Sequence, residues 1–393
     1  MAGWSVSGAG VAGNTRMLVD LTDLDFRDGF VIQGGVAGGN EVLSVSGAGD
    51  VNGDGIDDVI VGATGVVDRV GRPGESYVID GSSNLASFYF YGSALNDTLR
   101  GDTEDNLIDG GAGADLMIGD AGSDRFIVDD LEDQVFESRN WAGTDTVFSS
   151  VDFSLGRQHI EDLQLTGEAV TGIGNGLMNT LTGNDQDNTL DGGRNADTMI
   201  GEDGDDTYFV QDFGDVVIEE SGEGENDLIK SWVSFELGDN LENLHLLSRN
   251  NINGTGNDRH NTLIGNMGDN VLDGGGKRDI LKGQGGADTF VFSDVVSHAQ
   301  ADQIIDFTSG EDKIALDLGL GAAGTLSADA FLLANGNNDS ADRALYGSED
   351  RVIYDATSGK LWVDTDGSGD EATRLVATLL NHAELSADDF ILL

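Results

Sequence analysis

Apolar side chains recur along residues 97–126 at a step of nine, where Leu99, Ile108, Met117 and Phe126 each follow by two an acidic or amide residue, Asp97, Asn106, Asp115 and Asp124. The pattern returns with Asn179, Asn188, Asp197 and Asp206 ahead of Leu181, Leu190, Met199 and Tyr208. It returns again with Asn261, Asn270, Asp279 and Asp288 ahead of Leu263, Leu272, Leu281 and Phe290. A single apolar position every nine residues fits neither the helical period of 3.6 nor a long alternating strand. Each nonamer therefore reads as a six-residue turn ending in Asp or Asn, followed by a three-residue strand with one inward side chain. Three cassettes of this kind begin their most regular stretch at the same interval, with DGGAGADLMIGDAGSDRFIV at 109, DGGRNADTMIGEDGDDTYFV at 191 and DGGGKRDILKGQGGADTFVF at 273. A fixed long period points to a solenoid or an array.

Two nonamers make one coil of a flattened parallel β-helix, so that turns eighteen residues apart stack on the same side. Stacking brings carboxylates and backbone carbonyls from two turns around one cavity. Hard oxygen donors without nitrogen or sulfur suit Ca²⁺, and glycine lets the backbone curl with positive φ to aim its carbonyls inward. The expected ligands are Asp97, Gly110, Asp115, Gly119 and Asp124 in the first cassette, Gly192, Asp197, Gly201 and Asp206 in the second, and Gly274, Asp279, Gly283 and Asp288 in the third. The cassettes are not equal at the fourth turn position, which holds Gly113, Asn195 and Lys277. If that position needs positive φ, Lys277 costs roughly 1–2 kcal/mol and, with Arg278, makes its site the weakest.

Composition sharpens the picture. The chain has 59 glycines, one proline and no cysteine, so neither disulfides nor thiolate metal sites are available. Acidic residues number 72 against 20 basic, a net charge of −52. A nucleic-acid partner is excluded for want of a basic face, and the charge calls for bound cations if the chain is to be compact. No apolar run is long enough to span a membrane, and the first twenty residues lack the charged start and apolar core of a cleaved signal peptide.

The nonamers resemble the glycine- and aspartate-rich repeats of the RTX, or hemolysin-type calcium-binding, family, whose consensus is a parallel β-roll signature. The resemblance implies an all-β fold: β-roll cassettes at 93–129, 174–211 and 256–293, separated by β spacers at 130–173 and 212–255. Acidic residues of the spacers, as in DQVFESRNWAGTDTVFSSVDFSLG from 133 and DVVIEESGEGENDLIKSWVSFELG from 215, read as solvated faces rather than ligands.

Upstream, GAGDVNGDGIDDVIVGA at 47–63 places Asp50, Asn52, Asp54 and Asp58 at positions 1, 3, 5 and 9, with the Ile56 carbonyl at 7, a spacing that wraps oxygens around one hard cation. The EF-hand reading fails because position 12 is Val61. The stretch is similar to the FG-GAP repeat of integrin α-chain β-propellers, which implies a calcium-binding blade within 1–92. One copy does not make a closed propeller: the segment is either the remainder of a longer protein or a single blade packed on the roll. Residues 294–393 resemble the C-terminal domain that follows RTX repeats in serralysin-type proteases and other type I secretion substrates. That resemblance implies an uncleaved export signal at DDFILL, the type I machinery as a partner and a secreted, extracellular or cell-surface location. A hairpin is expected where ATSG joins RVIYD to KLWVD, while Asp364, Asp366 and Asp370 read equally as a further calcium turn or a solvated one.

The protease does not carry over. There is no H-E-x-x-H, and His159, His245, His260, His298 and His382 form no i, i+4 pair. No G-x-S-x-G elbow or thiol nucleophile is present. The expected function is a non-enzymatic, calcium-binding secreted protein with a surface, matrix or adhesion role toward polysaccharide or a host surface. The alternative is the calcium-dependent C-terminal part of a secreted hydrolase or carbohydrate-active enzyme.

Overall fold

The computed structural model describes residues 42–49, 58–64, 75–79, 88–137, 143–293, 301–318, 320, 323–334, 351–364 and 373–393. The chain divides into two compact units, Met1–Glu168 and Ala169–Leu393, and the described residues are strand and turn save for short 3₁₀ segments at Ala328–Ala330 and Ala387–Asp389. The all-β expectation holds.

In the first unit, Val42–Gly49, Asp58–Thr64, Glu75–Ile79 and Phe88–Tyr91 form an antiparallel meander. Its last strand changes partner type: Phe88–Tyr91 also lies parallel to Asn106–Asp109, and this parallel face continues through Arg125–Val128, Thr146–Ser149 and Asp162–Leu165. The opposite face stacks Thr98–Arg100, Leu116–Ile118 and Gln134–Phe136. Register fixes the core. Leu99, Met117 and Val135 align on one face and Ile108, Phe126, Val147 and Leu163 on the other, all buried. Because each strand is three or four residues long, only its central apolar side chain, or its alternate ones, can point inward.

The second unit repeats the design. One face runs Thr171–Ile173, Thr189–Asp191, Thr207–Val210, Leu228–Ser231, Asn243–Leu246, Thr262–Ile264, Ile280–Lys282 and Asp302–Ile304 in parallel. The other includes Thr180–Thr182, Thr198–Ile200 and Val216–Ile218, and farther along Phe235–Glu236, Gly254–Thr255, Val271–Asp273, Thr289–Phe292, Lys313–Leu316 and Phe390–Leu392. Beyond the coils, Asp302–Ile304 pairs with Arg374–Leu379, which continues antiparallel into Lys360–Val363 and Val352–Asp355. The expected hairpin is the last of these, turning through Gly359 at φ 70°.

The chain's end is a built part of this unit. Phe390 is buried, its strand pairs with Lys313–Leu316, and Asp389 accepts hydrogen bonds from the Gly310 amide and the Ser309 hydroxyl. Within DDFILL, Phe390–Leu392 is a strand of the fold.

Alternation within a three-residue strand gives a direct test. In Ile280–Lys282, Leu281 is 0% exposed and Ile280 38%. Leu281→Ala is expected to cost about 2–5 kcal/mol in calcium-saturated denaturant unfolding, and Ile280→Ala much less. Equal losses would mean the register is wrong.

Candidate calcium sites

Where the sixth residue of a turn is a middle-rung aspartate, its two oxygens do two different things. Its Oδ1 reaches back one coil: Asp115 accepts the amide of Asp97 at 2.6 Å, Asp124 that of Asn106 at 2.8 Å, Asp197 that of Asn179 at 2.8 Å and Asp206 that of Asn188 at 2.6 Å. Asp279 and Asp288 accept from Asn261 and Asn270 in the same way, both at 2.8 Å. The amides of these six aspartates go on to the next rung, at Asp133, Asp145, Asp215, Asp227, Asp302 and Asp312. Each cassette is therefore threaded by two aspartate–amide ladders.

The second oxygen depends on the rung. On lower rungs Asp97 Oδ2 takes the Ser93 amide and hydroxyl, while the single side-chain oxygens of Asn106, Asn188, Asn261 and Asn270 take the amides of Asp102, Asn184, Asn257 and Asn266 in their own turns. The amide nitrogens of Asn261 and Asn270 also donate to the Leu241 and Ile252 carbonyls. On upper rungs Asp133, Asp215 and Asp312 likewise spend Oδ2 on their own turns. The middle rungs differ: Oδ2 of Asp115, Asp124, Asp197 and Asp206 is buried with no hydrogen-bond partner.

Those oxygens face glycine. A Cβ placed on Gly110, Gly119, Gly192, Gly201, Gly274 or Gly283 would collide with Oδ2 of Asp115, Asp124, Asp197, Asp206, Asp279 or Asp288 respectively. The six Gly–Asp pairs expected from sequence are thus brought together, one pair per turn, around space that only glycine leaves open. The same turns carry the positive φ values. Gly113 stands at 127°, Asn195 at 75° and Lys277 at 76°, and Asp120, Glu202 and Gln284 at 66° to 70°. Lys277 holds the strained conformation assigned to its position.

Burial pushes these carboxyls well above the ordinary range, and neighbouring carboxylates add to it: Asp124, Asp197, Asp206 and Asp288 are raised to about 7 and Asp145 to about 6, with Asp115 and Asp227 raised for the same reason. An acid buried beside other acids and short of donors needs a proton or a cation. The residues present fit a calcium ion: all donors are oxygen, carboxylates are concentrated, and the cradle is defined by missing side chains. Such an ion would be held by the middle-rung aspartates and would supply the counter-charge that the turns lack.

Family comparison decides the chemistry. The RTX calcium-binding nonapeptide repeat (4 copies) matches residues 91–126, 173–208 and 264–293. The three cassettes are RTX calcium-binding repeats. An FG-GAP repeat matches residues 43–79, and no curated protein matches the chain. RTX repeats bind Ca²⁺, and cations held there would offset part of the −52 charge. RTX and FG-GAP repeats are mainly structural or binding modules. No helix among the described residues is long and apolar enough to cross a membrane.

Other expectations fare differently. Asp50, Asn52, Asp54 and Ile56 lie outside the described residues, as do Asp366 and Asp370, while Asp58 opens the strand Asp58–Thr64. The FG-GAP segment forms part of the antiparallel meander. The solvated reading of the spacer acids holds for Asp152, Glu220, Glu225 and Glu236, which are exposed, and is corrected for Asp133, Glu137, Asp145, Asp215, Glu219 and Asp227, which are buried. They continue the ladders or cap them. A signal was present, since Asp133 and Asp215 keep the nine-residue step after Asp124 and Asp206, and Glu137 and Glu219 stand eighteen after Gly119 and Gly201.

The raised carboxyls fix the sign of a pH effect. A folded pKa above the unfolded value means that protonation favours the fold, a stabilisation fully present below about pH 4 and lost as pH rises through about 7. In calcium-free buffer, acidification from about pH 8 to about pH 5 should raise stability and β-sheet circular dichroism. Saturating calcium should abolish that gain. A calcium-free chain that loses β signal over the same range contradicts the assignment.

Proposed function

We propose that the chain is a secreted calcium-dependent protein whose RTX coils complete their folding outside the cell, and that it acts without catalysis, at a surface or in a matrix. The supporting observation is the set of buried, partnerless Oδ2 atoms of Asp115, Asp124, Asp197 and Asp206. Without a counter-ion each opposes folding; with calcium each favours it. Ligand at about 100 times its Kd stabilises the folded state by about 2.7 kcal/mol per independent site. A chain that stays loose where calcium is scarce and closes where it is abundant suits passage through a narrow exporter. We assign Asp97, Gly110, Asp115, Gly119, Asp124, Gly192, Asp197, Gly201, Asp206, Gly274, Asp279, Gly283 and Asp288 to the calcium-bearing turns, and export to a type I system reading the C-terminal segment. In this reading 1–92 is the blade, 294–393 the export module, and the 130–173 and 212–255 spacers carry the ladders onward.

An adhesive role toward polysaccharide or a host surface follows from the FG-GAP segment, whose repeat is mainly a binding module. The hydrolase reading would place catalysis in a domain outside this chain.

Calcium-free chain at neutral pH should show weak β-sheet circular dichroism that rises on adding millimolar calcium; an unchanged spectrum defeats the folding claim. For export, deleting Asp388 to Leu393 should trap the protein inside the cell. Because that deletion also removes the Phe390–Leu392 strand, Ile314→Ala, at the buried residue that pairs with Phe390, serves as the control, disturbing the strand while leaving DDFILL unchanged. Retention of the deletion with release of Ile314→Ala supports type I export, and release of both contradicts it.

A further inference from the structure

We propose that Asp206, Glu219 and Asp227 form a cation site of a different construction, made of side chains alone, which closes the second cassette and takes a hard divalent ion such as calcium. The proposal deepens the reading above and rests on it, since the cassette must fold with its ions for this site to exist.

Glu219 occupies the place where the next coil would offer a turn-leading glycine. One coil earlier, the Gly201 carbonyl packs against Gly183; one coil later, Glu219 Oε1 approaches Gly201, together with Asp206 Oδ2 and the Tyr208 hydroxyl. A carboxylate has replaced a backbone carbonyl. The chain then takes a longer path back to the ladder: Asp206 and Asp227 are 21 residues apart, against 18 for Asn188 and Asp206. The longer turn is pinned from below, where the Gly204 amide donates to the Glu223 carbonyl and Asp205 accepts the amides of Glu225 and Asn226.

Each of the three carboxylates spends one oxygen on orientation. Asp206 Oδ1 takes the Asn188 amide, Asp227 Oδ1 takes the Asp206 amide, and Glu219 Oε1 takes the Tyr208 hydroxyl. The other three, Asp206 Oδ2, Asp227 Oδ2 and Glu219 Oε2, are buried without a partner, on residues 1%, 0% and 6% exposed. One oxygen of each residue lies within 4.8 Å of the others, the separation that ligands at about 2.3–2.6 Å from one calcium ion must have. Among the described residues, the ion pairs Arg100–Asp120, His159–Glu161 and Arg259–Glu242 engage none of the three. Three carboxyl groups thus share a buried corner with one phenol. Tyr208 is a positioning residue, since its hydroxyl sets which Glu219 oxygen remains available. The first and third cassettes carry Phe126 and Phe290 at its place.

The test is a count of bound calcium on the full-length chain by native mass spectrometry, with calcium alone as the probe and circular dichroism as the folding check. Glu219→Gln should hold one ion fewer than the wild type while still gaining β structure with calcium. Tyr208→Phe, which keeps all three carboxylates, should hold the wild-type number. An undiminished count in Glu219→Gln overturns the proposal, because the acids would then be sharing protons rather than an ion. Should Glu219→Gln fail to fold, Asp227→Asn, which keeps the oxygen that accepts the Asp206 amide, is counted in its place: one ion fewer supports the site and an undiminished count overturns it. A wild-type chain that gains no β signal with calcium overturns the underlying reading instead, and the circular dichroism tells the two failures apart.

Discussion

The constraint on which the fold depends is the divided use of one side chain. At the middle rungs, one oxygen of Asp115, Asp124, Asp197 or Asp206 closes a hydrogen bond to the previous coil, and the other is buried without a donor. The ladder cannot form without bringing that second oxygen in. A buried carboxylate lacking a partner opposes folding by several kcal/mol, more than a hydrogen bond returns, so the coil is self-limiting until something positive arrives. The apolar interior cannot compensate, because each three-residue strand contributes a single buried side chain.

The lower and upper rungs show how the chain confines this cost. Asn106, Asn188, Asn261 and Asn270 carry no charge, and their amides satisfy their own turns. Asp97, Asp133, Asp215 and Asp312 are acids wrapped by local donors. Charge without donors is concentrated at the middle rungs, where glycine leaves room. The wrapped rungs carry no such cost, so the need for calcium falls on the middle rungs and on the Glu219 corner that closes the second cassette. Acid and calcium relieve the same oxygens, which is why they are expected to substitute for one another.

Much of this was legible in the sequence. The nine-residue step located the strands, the central apolar residues and the Gly–Asp pairs, and comparison of Gly113, Asn195 and Lys277 identified a positive-φ position that the structure bears out. Periodicity could not show that rungs of like sequence differ in their hydrogen bonding. Asp97 and Asp115 stand at equivalent positions, yet Ser93 satisfies the Oδ2 of one while that of the other has no hydrogen-bond partner. Glu219 escaped because, eighteen residues after Gly201, it stands where the pattern calls for glycine, and Asp227 because three extra residues break the step. The buried spacer acids looked solvated because alternation reports strand faces, whereas their burial comes from the turns stacked beside them.

Residue-resolved hydrogen exchange of the ladder amides tests the central claim most directly. The amides of Asp97, Asn106, Asn179 and Asn188, which donate to the middle-rung aspartates, should be strongly protected in saturating calcium at neutral pH and lose protection together when calcium is removed. Protection that persists unchanged in calcium-free buffer would show that the ladders stand without a counter-ion, and would contradict the account.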